Sequence, residues 1–266
     1  MELDGFEPVA LFAFGLFGLI SWFGWYWSLV RVTRLGGSLS HRLALALTPV
    51  VCALGLLQVL RFLADEVVRA EAFWQFYYMA IGAGWLAGVM RLVSYMGISV
   101  RDDVLERRNT AALPALQGAL IGLTLCFAGA NVGNGPGVHV VILSAGLSTA
   151  LLLAIWLAVD RLSGPGIAER ITVERDLASG IRLAGLLVAL GCILGAAVAG
   201  AWVDLTTTVV GFFLYAWPAA LLGAVAVLTE RRGAGAPLVG SVIGSVLAAG
   251  LYVAFAVGYV ARQGLA

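Results

Sequence analysis

The sequence contains no lysine, so all 16 of its basic residues are arginine. This absence excludes a retinal Schiff base, a lysine nucleophile and the lysine of a phosphate-binding P-loop. Charge is scarce in general, since 12% of the 266 residues are charged and 61% are hydrophobic. Soluble domains have about 25% charged and about 45–50% apolar residues. The composition therefore excludes a soluble enzyme and predicts an integral membrane protein surrounded by the lipid bilayer.

Cysteine and histidine are scarce as well. Cys52, Cys126 and Cys192 each stand alone inside an apolar run, which indicates packing residues rather than a redox or metal site. The two histidines, His41 and His139, fall on opposite sides of the predicted membrane and cannot ligate one haem iron. No pair of carboxylates is expected within the membrane. We therefore predict no cofactor, metal or catalytic residue, and the small net charge of +1 argues against a nucleic-acid partner.

Eight apolar runs have lengths close to the roughly 20 residues that a helix needs to cross a bilayer. They cover 8–30, 43–64, 73–98, 111–132, 138–159, 178–202, 205–228 and 238–261. The predicted fold class is all-α, a polytopic transmembrane bundle of about eight helices in a single membrane domain, 1–266. The joint at Asp204 is the weakest boundary, because one kinked helix could fill both adjoining runs.

Arginines collect in alternate loops between these runs. Arg34, Arg107, Arg170 and Arg231 mark the arginine-rich loops, whereas the other loops hold Arg69 among acids or no arginine. Because positive residues accumulate on the cytoplasmic side of membrane proteins, we expect the arginine-rich loops in the cytoplasm and both termini outside.

One short motif occurs twice, each time before an apolar run. An arginine precedes Asn or Asp, small residues follow, and a glycine falls at the same offset. The copies are Arg108-Asn109 with Gly118, and Arg175-Asp176 with Gly185. In each copy the Asn or Asp can cap the first turn of a membrane helix while the arginine stays among lipid headgroups. The recurrence also predicts a chain built from helix hairpins repeated in the same orientation.

Two interpretations of this motif remain open. Asn109 and Asp176 are either independent helix caps, or they face one another and form a polar cytoplasmic mouth. In the second interpretation, Arg108 and Arg175 lie beside the mouth and attract an anion or a headgroup.

The stretch from about residue 76 to 202 resembles the YjfL-like family of bacterial inner-membrane proteins, catalogued as domain of unknown function 350. The residues that carry the resemblance are Asn109-Thr110-Ala111-Ala112, Gly118 and Ile121-Gly122 in one element, and Asp176, Ala178-Ser179-Gly180 and Gly185 in the other. Pro114 and Arg182 depart from the small-residue pattern.

The resemblance implies a four-helix unit at 76–202, with helix pairs 8–64 and 205–261 outside it. It also implies an integral protein of the bacterial envelope, in a family sometimes linked to envelope stress and to polyamine-related gene neighbourhoods. It implies no established reaction.

Two arginines fall inside apolar runs. A charge near the bilayer centre costs about 2.5–3.5 kcal/mol on insertion scales, so such residues are usually functional or paired. Arg91 either extends to the cytoplasmic headgroups or faces a polar cleft. Arg182, on the second turn of its run, is expected at the membrane interface.

Two classes of function remain. The first is a non-enzymatic membrane component that assembles with itself or with a cytoplasmic protein through the charged loops. The second is a channel or transporter for a small ion or solute, which would use kinked helices and Arg91. The absence of intramembrane acids and the short outer loops favour the first. A membrane enzyme ranks third, with Asn109, Asp176 and the cytoplasmic loops as its only plausible site.

Overall fold

A computed structural model describes residues 5–31, 39–135, 137–233 and 240–264, without the side chains of 232 and 233. Arg34 and the predicted start of the last apolar run lie outside these residues. Within the described ranges no β-strand forms, and the one β-type pairing is an isolated bridge between Ala64 and Gly133. The predicted all-α class is therefore confirmed.

Ten α-helices follow one another along the described chain. They are α1 (Phe6–Arg31), α2 (Leu39–Phe62), α3 (Glu66–Ala70), α4 (Ala72–Tyr95), α5 (Ala112–Gly129), α6 (Val138–Leu162), α7 (Ile167–Thr172), α8 (Leu177–Val198), α9 (Leu205–Gly233) and α10 (Val242–Arg262). All except the short α3 and α7 are long and apolar enough to cross a membrane, which makes eight in the described part of the chain. The predicted number of crossings is confirmed, and the chain is a multi-pass membrane protein.

The doubtful joint at Asp204 separates two helices. α8 ends at Val198, and α9 begins only at Leu205. Asp204 accepts hydrogen bonds from the Thr207 hydroxyl at 2.6 Å and from the Thr207 backbone N–H at 2.9 Å. Both hydrogen bonds lower the pKa of the Asp204 carboxyl, and the bond from the hydroxyl has the larger effect. They satisfy free donors of the first turn of α9, which explains why a new helix starts at this point.

The centre of the bundle is a row of helices that run in the same direction. In an apolar stretch of 18 residues within each span, 72% of the residues are buried in α5 and 67% in α8, but only 17% in α1 and α10. Close backbone contacts at glycine hold the row together: Gly118 against Ala184, Gly122 against Leu187, Gly129 against Gly195, and Gly185 against Ala249 of α10. Such contacts supply packing energy in lipid, where little hydrophobic force acts between helices. The more exposed helices carry large apolar side chains on the outer surface, where they contact lipid.

The two central hairpins, α4–α5 and α6–α8, repeat one backbone pattern. Residues with positive φ recur at a constant separation: Gly97 and Gly164, Arg108 and Arg175, Gly133 and Gly200. Backbone hydrogen bonds recur too, since Asn109 N–H donates to Asp103 and Asp176 N–H donates to Arg170, six residues back in both copies. The repeat that the sequence motif predicted therefore extends through the connecting loops.

The connecting loops of these two hairpins lie at one end of the bundle. The first contains a π-helical turn, Val100–Glu106, and the second contains α7. We call this end, where the exposed residues include Arg101, Arg108 and Arg175, the arginine-rich end.

Candidate functional site

The two motif arginines have the same unusual backbone. Arg108 has φ = 54° and Arg175 has φ = 56°, in the left-handed region that a residue with a Cβ rarely adopts. Each arginine lies between the connecting loop and the helix that follows it. Both side chains are exposed at the arginine-rich end. That the two arginines lie among lipid headgroups stays a prediction.

Asp176 is the N-cap of α8. Its carboxylate accepts hydrogen bonds from the backbone N–H groups of Ala178 at 2.9 Å and Ser179 at 3.2 Å, and from the Ser179 hydroxyl at 2.6 Å. These bonds satisfy donors that the first turn of a helix otherwise leaves free.

Asn109 has a different role from its counterpart. The N-cap position of α5 belongs to Ala111, and the Asn109 side-chain oxygen accepts a hydrogen bond from the Ala111 N–H at 2.9 Å. The Asn109 amide donates at 2.7 Å to the Ile171 carbonyl in α7. Asn109 is 1% exposed. It therefore fastens the start of α5 to the neighbouring loop.

The two motif copies lie side by side, because Gly180 of α8 packs against the Ala111 carbonyl. Their polar side chains nevertheless bond to different groups: Asn109 to α7, and Asp176 to its own helix. This geometry favours the interpretation as separate anchoring residues over that of a shared polar mouth.

Arg182 was expected at the membrane interface, but its side chain is buried inside the bundle rather than exposed there. It is 2% exposed and forms a two-pronged ion pair with Glu230 of α9, which is 3% exposed. Arg182 Nε lies 2.5 Å from one carboxylate oxygen, and Nη2 lies 2.9 Å from the other. Arg182 also donates to the hydroxyls of Ser179, at 2.9 Å, and Ser245 of α10, at 2.7 Å.

A second buried arginine, Arg170 of α7, contacts the same carboxylate. Its Nη2 lies 3.0 Å from Glu230 Oε2, and its Nη1 donates at 3.4 Å to the Glu230 backbone carbonyl. The Nη2 approach is ionic rather than a directed hydrogen bond, and Arg170 Nε has no hydrogen-bond acceptor. We call Arg170, Arg182 and Glu230 the charged cluster. It connects four helices, α7 to α10, at the arginine-rich end.

Sequence reasoning missed Glu230, a buried acid near the end of α9. The residue precedes Arg231 and Arg232, so it looked like part of a loop. A helical signal was nevertheless present. Glu230 continues a stripe of buried residues at the helical spacing of three or four positions: Phe212, Ala216, Ala219, Gly223, Ala226 and Glu230, with Pro218 and Leu222 buried beside it.

A family model for a domain of unknown function, DUF350, matches residues 62–198. This is slightly more than half of the chain. The chain belongs to the DUF350 family. No curated protein and no solved structure matches it.

The limits of the DUF350 region divide the charged cluster. Arg170 and Arg182 lie within the matched residues, whereas Glu230 and Ser245 lie beyond them. In the other DUF350 hairpin, the position equivalent to Arg182 is Ala115, which is fully buried. The cluster therefore breaks the internal repeat at the point where α9 and α10 pack against the DUF350 region.

Arg91, also in the DUF350 region, faces a cleft between α1 and α4. Its guanidinium donates to the Ser21 hydroxyl at 3.2 Å and lies 4.5 Å from the centre of the Phe17 ring. The side chain is exposed. This position, in a cleft and near the end of α4, fits both of the alternatives predicted for Arg91. The five residues predicted as candidates thus occupy two places, with Arg91 in this cleft and the other four at the paired motif loops.

Metal binding has no support in the described residues, where no group of three or more His, Cys, Asp or Glu side chains could hold an ion.

Proposed function

We propose that the protein is a non-enzymatic integral membrane component in which helix pairs extend a DUF350 unit and charged loops bind a partner. The observation that carries this proposal is the charged cluster. Its carboxylate is bonded by two arginines of the same chain, and Arg182 donates to Glu230, Ser179 and Ser245. Groups bonded in this way hold helices together and are not available to carry a solute.

The polar groups of the motif loops support the same proposal. The side chains of Asn109 and Asp176 form hydrogen bonds with backbone groups of the chain, which argues against an enzyme site built on them. Exposed charges of both signs lie around them, including Arg108, Glu174 and Arg175. Mixed charges at one end of a membrane bundle suit a second copy or a cytoplasmic protein with complementary charges.

Purification from native membranes tests the assembly proposal. We expect the wild-type protein to retain a second copy or a cytoplasmic partner, and the Arg108→Glu/Arg175→Glu variant to lose it through like-charge repulsion. Arg69→Glu, an exposed change near α3 at the opposite end, is the matched control and should retain the partner. A wild-type protein that is a monomer accompanied only by lipid would contradict the proposal.

A channel or transporter for a small ion or solute is the second candidate, favoured by the open cleft beside Arg91. Liposomes that contain only this protein distinguish the two. The proposed scaffold predicts ion and solute leakage equal to that of empty liposomes. Flux through the wild-type protein that Arg91→Ala abolishes would instead establish the transporter.

We further propose that the protein lies in the bacterial inner membrane, as a component associated with envelope stress, with its arginine-rich end in the cytoplasm. Two observations support this orientation: an even number of crossings brings both chain ends to one side, and arginine-rich loops are typical of the cytoplasmic side. A reporter that is active only in the cytoplasm should be inactive when fused after Ala266, and active when inserted after Arg175. The opposite pattern would reverse the proposed orientation.

A further inference from the structure

The cleft between α1 and α4 has a composition that suits an anion. It has a volume of about 230 Å³ and opens at the surface of the bundle. Its lining combines arginine, serine and tryptophan: Arg91, Arg101, Ser21, Ser99, Trp22 and Trp25. Serine hydroxyls and guanidinium groups are common ligands of phosphate oxygens, and tryptophan is common at the depth of lipid headgroups.

Arg91 supplies the available positive charge of this cleft. Arg101 is already paired with Glu106, with 2.9 Å between Nε and the carboxylate. Arg91, in contrast, has no ion-pair partner among the described residues, and it contacts the Ser21 hydroxyl and the Phe17 ring. A guanidinium has five N–H donors, so most of those of Arg91 remain for a ligand.

The position of Arg91 favours a ligand from the membrane. It lies four residues before Tyr95, where α4 ends, or about 6 Å along the helix axis. The indole N–H groups of Trp22 and Trp25 beside it donate to the carbonyls of Ala83 and Leu45, which fixes both rings in the wall of the cleft. An unpaired guanidinium close to the end of a membrane helix is in reach of phospholipid phosphates.

We propose that this cleft binds a phosphate group, carried by the headgroup of an anionic phospholipid. The planar guanidinium of Arg91 donates two parallel N–H bonds to phosphate oxygens. The Phe17 ring packs against one face of the guanidinium, and the Ser21 hydroxyl accepts a hydrogen bond from one edge of it. This site is separate from the charged cluster and does not depend on the proposed assembly role.

Native mass spectrometry of the detergent-purified protein tests the site, with phosphatidylglycerol as the probe and phosphatidylcholine, which is zwitterionic and has no net charge, as the reference lipid. We expect one phosphatidylglycerol to bind more tightly than phosphatidylcholine. Arg91→Gln should weaken that first binding step by about tenfold, because a bidentate charged contact is lost. Arg161→Gln removes the same charge from an exposed position at the same end, in the last turn of α6, and should leave the binding unchanged.

Two further measurements identify the source of the phosphate and distinguish a loss of binding from a loss of folding. Competition by inorganic phosphate would assign the site to a soluble phosphate, whereas retention of the lipid in its presence assigns it to the headgroup. Ser21→Ala keeps Arg91 but loses its positioning contact, and should weaken binding by a smaller factor even if Arg91→Gln fails to fold. Equal binding by the wild type, Arg91→Gln and Ser21→Ala would overturn the proposal, as would equal losses in Arg91→Gln and Arg161→Gln.

Discussion

Glu230→Gln is expected to lower the free energy of unfolding by about 3–5 kcal/mol. The substitution keeps the shape of the side chain but removes the one carboxylate that contacts both Arg170 and Arg182. Both guanidinium groups then remain buried without an opposite charge at hydrogen-bond distance. Breaking one side of a buried ion pair is costly for this reason, even where the intact pair adds little net stability. Chemical unfolding in detergent micelles measures the difference.

Glu106→Gln is the matched control for this experiment. Glu106 also pairs with an arginine, Arg101, at the same end of the bundle, but the pair is exposed to solvent. Water screens such a pair, so its loss should not measurably change the unfolding transition. If Glu230→Gln were as stable as Glu106→Gln, the charged cluster would not hold the helices together.

Gly122→Leu is expected to destabilise the protein by about 3 kcal/mol or more, because an over-packed contact must separate two helices. A Cβ at Gly122 would overlap the Leu187 carbonyl oxygen, which belongs to the backbone and cannot move aside alone. The contact joins α5 and α8, the two most buried spans. Thermal unfolding in detergent provides the measurement, and the fraction of protein that elutes as a single species reports any misfolding.

Gly55→Leu is the control for the glycine experiment. Gly55 is also a glycine inside a membrane helix, α2, but a Cβ built there meets no atom within 4 Å. The side chain would extend into lipid, so stability should change little, and helix propensity favours leucine. Equal unfolding of the two variants would mean that the glycine face of α5 does not form the closest contact in the bundle.

The repeated motif could be recognised in the sequence because its information is local. Asp176 followed by small residues predicts a helix N-terminus, and α8 begins at the next residue. The same reasoning placed the cap at Asn109, two residues before the N-cap Ala111, since a cap and a side chain that bonds to a neighbouring loop look alike in sequence. The choice depends on Ile171, 62 positions along the chain.

The charged cluster could not be predicted from local patterns. Arg182 lies near the start of one apolar run, and Glu230 lies near the end of another. Hydropathy therefore assigns both residues to the membrane interface. Burial of both becomes possible only because α8 and α9 bring opposite charges to 2.5 Å of each other. The cost of removing each charge from water is offset by the other, and that compensation is a property of the packed bundle. The positive φ of Arg108 and Arg175 was also beyond prediction, because arginine has no preference for that conformation.

We infer that Arg182 and Glu230 act as one unit that fastens α9 to the DUF350 region. A double-mutant cycle of Arg182→Met and Glu230→Gln, followed by unfolding in detergent, tests this inference. We expect a coupling energy of about 2–3 kcal/mol between the two positions, in the upper part of the range for residues in contact. Losses that add to within about 0.5 kcal/mol would show two independent residues and contradict it.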